Sequence, residues 1–271
     1  MRLFVAGLRK LVRRPATWVT FGLLVGLLAL IYLAVGATAN QASSGNGARQ
    51  GKLLVTFPGA YTLLLQFILG LGGLFAMIYG AAVAGSEWTW GTLKAAVARG
   101  ESRSRYQLLS FTAIGLMVGI GLVLAFGIGI VVAVIAAGLA GVPTTGVGDS
   151  ATIQTFPELL LRGWLALGEA CALGYAIATL ARSQLAGIGV GIAAYFGEQF
   201  ARIFLPDIVQ YLPFSAANAV VATTRTAASS GDPAAALARL DPNAALLVVA
   251  LWLVGALLVT ALFTERAEIS G

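Results

Sequence analysis

Long apolar stretches alternate with short polar ones along the whole chain. A helix that spans a membrane needs about 20 mostly apolar residues in succession. Six stretches meet this requirement, at residues 17–36, 59–84, 107–140, 158–181, 185–205 and 244–263. The third carries no charge and predicts either one helix of roughly 50 Å or a helix broken near Gly127 and Gly129. The pattern therefore predicts six membrane-spanning helices.

Turn-forming residues separate several of these stretches. Residues 40–51 are rich in Gly, Ser and Asn, residues 142–150 contain Pro and Gly, and residues 223–242 are polar, so all three predict connections between helices. Thr155 and Glu158 have the spacing of a capping box, and Pro157 falls in the first turn that would follow it. We expect the fourth long helix to begin at this box.

Composition agrees with a membrane protein. Apolar residues make up 59% of the 271 positions, charged residues only 10%, and the mean hydropathy is +0.90. Soluble domains carry about 25% charged residues, so this chain is predicted to be an all-α integral membrane protein with one transmembrane domain over residues 1–271. It contains no histidine and a single cysteine, Cys171. His-based triads, HExxH zinc sites and disulfides are thereby excluded, and we predict no catalytic or metal site in this chain.

Lysine and arginine predict the orientation, since they are enriched on the cytoplasmic side of membrane proteins. With the N-terminus inside, eleven of the seventeen lie in cytoplasmic segments: Arg2, Arg9, Lys10, Arg13, Arg14, Lys94, Arg99, Arg103, Arg105, Arg182 and Arg266. The other six are spread over the outer segments and helix ends. Both termini are therefore predicted to be cytoplasmic, in a plasma membrane of the bacterial type. This placement explains the net charge of +6 without a nucleic-acid partner.

The first 15 residues predict a helix that lies along the membrane surface. At 100° per residue, their arginines and lysine fall on one side and most of their apolar residues on the other, and Pro15 ends the pattern. A simple orientation signal is an alternative interpretation of the same charges. A cleaved signal peptide, suggested by Ala37-Thr38-Ala39, is disfavoured because the apolar run exceeds the 7–15 residues of a signal peptide core.

The segment between the second and third apolar stretches is basic and carries two tryptophans. Gly91 and Gly100 bracket the sequence TLKAAVAR, which consists of good helix formers. A short cytoplasmic helix held between two spans could transmit movement from a soluble partner. An ordinary solvated loop with cytoplasmic charge is the alternative that the residues themselves leave open.

The sequence EWTWGTLK, followed by ARGESRSR, resembles the loop between spans two and three of type-two ABC exporter permeases. The YLPFSAANAV stretch at residues 211–220 resembles the same family. The resemblance implies a coupling helix that docks on an ATP-hydrolysing subunit, with the residues Glu87, Gly91, Thr92, Leu93, Lys94 and Arg99. It also implies two copies of that subunit, which would bind ATP and Mg, and a second permease chain, either a homodimer partner or a sister permease.

Three further expectations concern the ATPase, the coupling residues and the substrate. The nearest sequence to a phosphate-binding loop, GNGARQGKLL, has a misplaced glycine and lacks the Ser or Thr that binds Mg, so the ATPase must be a separate protein. Replacing Glu87 or Gly91 is expected to weaken transport while leaving folding intact. An apolar cavity between spans would suit an amphiphilic or hydrophobic substrate.

Glu169 and Glu198 are acidic residues inside predicted spans, and such residues are functional candidates by default. Arg202 lies one turn beyond Glu198 and is expected to pair with it. Glu169 has no partner on its own helix, so we expect it to face the bundle interior or a transport path. A secondary transporter or channel that uses these two residues is the alternative function.

Overall fold

The computed structural model of the chain describes residues 2–39, 46–100, 102–221 and 240–266, and the segments within these ranges are helical or irregular. The helices are α1 Arg2–Val12, α2 Pro15–Ala39, α3 Asn46–Val55, α4 Gly59–Thr89, α5 Thr92–Ala98, α6 Arg103–Leu139, α7 Ser150–Gln154, α8 Phe156–Ala181, α9 Gln184–Ala201, α10 Pro206–Val209, α11 Pro213–Ala219 and α12 Pro242–Arg266. Most of the predicted polar connection at residues 223–242 lies outside the described ranges.

Five of these helices, α2, α4, α6, α8 and α12, are long and apolar enough to cross a membrane. They coincide with five of the six predicted spans, so the chain is an all-helical, multi-pass membrane protein. The fifth predicted span, 185–205, is not among them: α9 has 18 residues and ends at Ala201. Its length of about 27 Å falls short of a hydrocarbon core of about 30 Å, and Gln184, Glu198 and Gln199 lower its hydropathy.

The helix α6 is continuous through Gly127 and Gly129, so the alternative of a broken third span is wrong. Its 37 residues extend for roughly 56 Å, which exceeds the thickness of the hydrocarbon core. It runs parallel to α2, with Gly36 directly against the Ala136 backbone. Because Phe21 of α2 lies beside Gly121 in the middle of α6, the first turns of α6 extend beyond the start of α2, and Gly7 of α1 packs there beside Ala113.

The centre of the bundle is the pair α4 and α8, whose backbones approach each other very closely. A Cβ atom on Gly80 would overlap the Cys171 carbonyl, and one on Gly174 would overlap the Met77 carbonyl. Only glycine permits this crossing, as is typical of helix interfaces in membranes. By contrast, few residues of α2, α6 and α12 are buried, and each of these helices has a row of exposed apolar side chains on the outside of the bundle, as expected for surfaces that face lipid.

Two predicted details of the connections are wrong. The fourth long helix begins at Phe156, but Thr155 makes no capping bond, and its hydroxyl donates to the carbonyl of Thr152. The side chain that caps a helix here is Asp149, which accepts from the Thr152 backbone N–H at the start of α7. Residues 46–55, predicted in part as a loop, form the helix α3.

After α9 the chain turns back into the bundle. The ring of Phe214 in α11 lies against Gly73 of α4, which is 14 residues, or about 21 Å, from the first residue of that helix. The segment that contains α10 and α11 is therefore re-entrant. Irregular backbone at membrane depth is tolerated where protein surrounds it, and most of α11 is indeed buried.

Candidate coupling site

The helix α5 is a single short element held between two left-handed glycines. Gly91 has a φ of 62° and Gly100 a φ of 88°, and a side chain would strain the backbone at both positions. The predicted bracketing of this helix by the two glycines is confirmed. The turns are tight, so α5 is joined to the ends of α4 and α6 without slack.

One face of α5 packs inward and the other is open. Leu93 and Ala96 are buried, whereas Ala95, Ala98 and Arg99 are exposed. Thr92 is half-buried, and its hydroxyl donates to the Glu87 carbonyl at 3.3 Å. The side chain of Lys94 lies outside the described part of the structure. Among the residues that the resemblance implies for docking, Arg99 is thus on the open face and Leu93 is beneath it.

Glu87 lies in the last turn of α4 and is only 4% exposed. Its Oε1 accepts a hydrogen bond from Ser110 Oγ at 2.9 Å, and its Oε2 accepts one from Tyr175 OH at 3.0 Å. Tyr106 OH lies 3.4 Å from Oε1, and Lys10 Nζ lies 3.9 Å from it. One carboxylate therefore joins α1, α4, α6 and α8. We call these five residues the Glu87 cluster.

The position of Glu87 differs from that of a surface docking residue. Because its carboxylate is enclosed, it supports the insert from below and does not form part of the open face of α5. Burial lowers the pKa of Lys10 from its usual value, an effect that the Glu87 carboxylate opposes. One sequence signal points to this contact: Glu87 is the first acidic residue of a chain that begins with a basic helix.

Two arginines contact the tryptophans of the insert. Arg14 donates from Nη1 to Ser86 Oγ at 2.9 Å, and its guanidinium lies 5.0 Å from the centre of the Trp90 ring. Arg182 lies 5.2 Å from the Trp88 ring in the same way. Such cation–π contacts are worth about 0.5–1 kcal/mol at exposed sites. The sequence pattern identified the tryptophans but gave no signal for these partners, which come from distant helices.

A cavity of about 250 Å³ separates α1 from α5. Polar side chains from four helices line it, among them Lys10, Glu87, Arg99 and Ser110. The helix α5 packs mainly on the ends of α4 and α6, and Ala95 and Arg99 of its open face line the cavity. The hydrogen bond from the Thr92 hydroxyl to the Glu87 carbonyl connects α5 to the residue at the centre of the Glu87 cluster.

Glu169 is a separate, isolated carboxyl in the middle of α8. It is 0% exposed, and neither of its oxygens has a hydrogen-bond partner in the described part of the chain. It lies 13 residues from Phe156 and 12 from Ala181, about 20 Å and 18 Å along the helix. The side chain thus faces the bundle interior and not lipid.

Glu198 is held by the re-entrant segment. Its carboxylate accepts hydrogen bonds from the backbone N–H groups of Phe214, at 3.2 Å, and Ser215, at the start of α11. The predicted pair with Arg202 is wrong, because Arg202 Nη2 donates instead to Ser215 Oγ at 2.7 Å. Backbone donors at a helix N-terminus attract a carboxylate, so Glu198 and Arg202 together fasten the re-entrant segment to α9.

The carboxylates and arginines described above can form ion pairs and hydrogen bonds. In the ranges that the structure describes, His, Cys, Asp and Glu side chains form no group of three that could hold a metal ion. No protein-family model matches the chain, and no curated protein matches it. The geometry of the insert and of the intramembrane acids is therefore what connects this protein to a function.

Proposed function

We propose that this protein is the membrane-spanning subunit of an ATP-driven transporter of the ABC type, which exports an amphiphilic or hydrophobic substrate. The observation that carries the proposal is the insert: a short helix with an open outer face, supported from below by a buried carboxylate. The resemblance of the EWTWGTLK sequence to coupling loops supports the same function. ATP and Mg would be bound by the partner subunit.

The contacts of the insert support this function. Tight glycine turns join α5 to α4 and α6, and the Glu87 cluster connects this region to α1 and α8. A partner that changes shape between nucleotide states would push on the exposed Ala95, Ala98 and Arg99. A ligand shifts an equilibrium only by interacting differently with its states, and here the difference would be the position of α5.

The assembly that we propose contains two copies of this chain and two ATPase subunits, with the termini and α5 in the cytoplasm. Homodimers with two-fold symmetry are the commonest oligomers of soluble proteins. Three glycine pairs, in α2, α6 and α9, have the GxxxG spacing that allows close helix approach: Gly22 with Gly26, Gly115 with Gly119, and Gly187 with Gly191. The last two pairs have a contact within the subunit, because Trp164 packs against Gly119 and Ala178 packs against Gly187. Gly22 and Gly26 of α2 remain open and are available for close approach of another helix.

A cross-linking experiment tests the docking face. In a Cys171→Ala background, Ala98→Cys would be labelled with a photoactivatable maleimide in native membranes and illuminated with and without ATP. We expect an adduct with a protein that hydrolyses ATP, in a yield that depends on nucleotide, because Ala98 lies on the open face of α5.

The matched control is Ala151→Cys, an exposed alanine at the opposite end of the bundle. It should give no such adduct. Equal adducts from both positions, or an Ala98 adduct without an ATP-hydrolysing protein, would contradict the proposed docking.

Glu169 supports a second candidate function, a secondary transporter or channel. A carboxyl without hydrogen-bond partners at such depth is costly, and discontinuous helices near the midplane are typical of ion-coupled transporters. Here the short α9 packs along α8, the helix that carries Glu169, and α11 of the re-entrant segment contacts α8 as well. Flux driven by an ion gradient without ATP would favour this candidate over the ABC-type function.

Glu169→Gln and Glu169→Leu are expected to fold at least as well as the parent, because neither breaks a hydrogen bond of the described structure. If Glu169 lines the transport path, both should change substrate range or transport rate. The measurement is transport by vesicles that contain matched amounts of each variant. Transport by Glu169→Leu at the parental rate and with the parental substrate range would show that Glu169 has no role in the path.

A further inference from the structure

An apolar groove opens on the outside of the bundle between α2 and α6. It has a volume of about 140 Å³, and its floor is formed by α4. Its lining includes Phe21, Leu24, Phe75, Met117 and Leu122. Gly121 also lines it, and a Cβ atom there would meet only Phe21, at 3.9 Å. Because α2 and α6 both expose apolar faces beside it, the groove is continuous with the lipid-facing surface. Its shape and chemistry suit a hydrocarbon chain.

One end of the groove is polar and lies where α1 joins α2. There the Thr17 and Tyr79 hydroxyls are 3.0 Å apart and share a hydrogen bond. Trp18 also lines this end, is 58% exposed, and donates from Nε1 to the Val12 carbonyl at 2.8 Å. Exposed tryptophans at such positions are typical of the boundary between lipid tails and headgroups. The polar end is therefore at headgroup level.

The chain is strongly basic at this end. Residues 2–17 contain five Arg and Lys residues and no acidic residue. Arg13 is exposed. Arg14 lies three positions before Thr17, but its guanidinium is enclosed and held between Ser86 and the Trp90 ring, so it contributes charge and no accessible hydrogen-bond donor. Positive charge thus flanks the polar end of an apolar groove.

We propose that this groove binds one anionic phospholipid, with an acyl chain between α2 and α6 and its phosphate at the exposed Arg13, close to the charge of Arg14. A zwitterionic lipid would leave the excess positive charge uncompensated, and a free phosphate ion would leave the apolar groove empty. This inference is independent of ATP-driven transport, since it uses only the groove and the charge beside it.

The charge contribution to this preference can be estimated. A lysine or arginine close to an anionic leaflet strengthens binding by about fivefold. Two arginines therefore predict a preference of roughly 30-fold for an anionic over a zwitterionic lipid of the same chain length.

The test uses the full chain in nanodiscs that contain equal amounts of phosphatidylglycerol and phosphatidylcholine, followed by native mass spectrometry of the lipids retained. The parent is expected to retain one phosphatidylglycerol. Gly121→Leu fills the groove and should lose it, whereas Gly127→Leu on the same helix points into open space and should keep it. Arg13→Gln should weaken the preference about fivefold, and Arg105→Gln, an exposed arginine elsewhere, should not.

The outcomes distinguish the possible ligands. Retention of both lipids to the same extent would overturn the proposed role of the arginines. Retention of phosphatidylglycerol by Gly121→Leu at the parental level would overturn the groove as its site. Displacement of the lipid by inorganic phosphate at millimolar concentration would show that the site binds the anion alone, and would also overturn the proposal.

Discussion

Glu87→Ala is expected to lower the free energy of unfolding by about 3 kcal/mol, because it removes an acceptor shared by several enclosed donors. The Tyr175 hydroxyl is the most affected, since Tyr175 is buried and its bond to Glu87 is 3.0 Å long. Lys10 would lose the only carboxylate within 4 Å of it in the described structure. The same change should leave α5 poorly positioned and reduce ATP-dependent transport in the protein that remains folded.

Thermal unfolding in detergent, followed by tryptophan fluorescence, measures this effect. Glu158→Ala is the matched control, because that side chain is 65% exposed and pairs only with Arg162, one turn away, in the described structure. We expect it to lower the free energy of unfolding by about 0.3–0.5 kcal/mol. Glu87→Gln keeps acceptor capacity and should fall between the two. Equal unfolding temperatures for Glu87→Ala and Glu158→Ala would show that the Glu87 cluster contributes nothing to stability.

Gly174→Ala should destabilise the bundle by about 3 kcal/mol or more, since overpacking a well-packed core costs this much when the structure cannot yield. Its new methyl group would overlap the backbone carbonyl of Met77, and a backbone carbonyl cannot rotate away as a side chain can. The pair α4 and α8 would have to separate, and it forms the most extensive helix contact of the bundle.

Gly168→Ala, six residues earlier on α8, is the control for helix propensity, because a Cβ atom there meets nothing within 4 Å. It should be neutral or slightly stabilising. The yield of monodisperse protein from detergent and its unfolding temperature both measure the difference. Matching behaviour of the two variants would mean that the close crossing at Gly174 is not required for the fold.

Features set by local sequence were the predictable ones. Runs of apolar residues identified α2, α4, α6, α8 and α12, since spanning a membrane demands about 20 such residues whatever the rest of the chain does. The bounds of α5 were also predictable, because Gly91 and Gly100 occupy backbone conformations that few other residues tolerate.

Features that depend on contacts between distant segments were not predictable. Buried Glu87 is bonded to Tyr175, which is 88 positions away. The spacing of apolar residues along the chain cannot predict a partner at that distance. That burial also replaces the expectation that Glu87→Ala leaves folding intact. Helix spacing allows Arg202 to reach Glu198, but the Glu198 carboxylate accepts hydrogen bonds from backbone N–H groups of the re-entrant segment instead. The helix predicted at 185–205 ends at Ala201, because the residues after it lead into the re-entrant segment that packs on distant helices.

The most direct test of the proposed function is the mass and ATP hydrolysis of the complex purified from native membranes in mild detergent. We expect two copies of this chain with two ATPase subunits. We also expect the rate of ATP hydrolysis to fall in the Arg99→Glu variant, because Arg99 is an exposed charge on the open face of α5. One copy per ATPase pair would contradict the proposed pairing. A chain that purifies without any ATPase, while still moving substrate across vesicles in the absence of ATP, would contradict the proposed function itself.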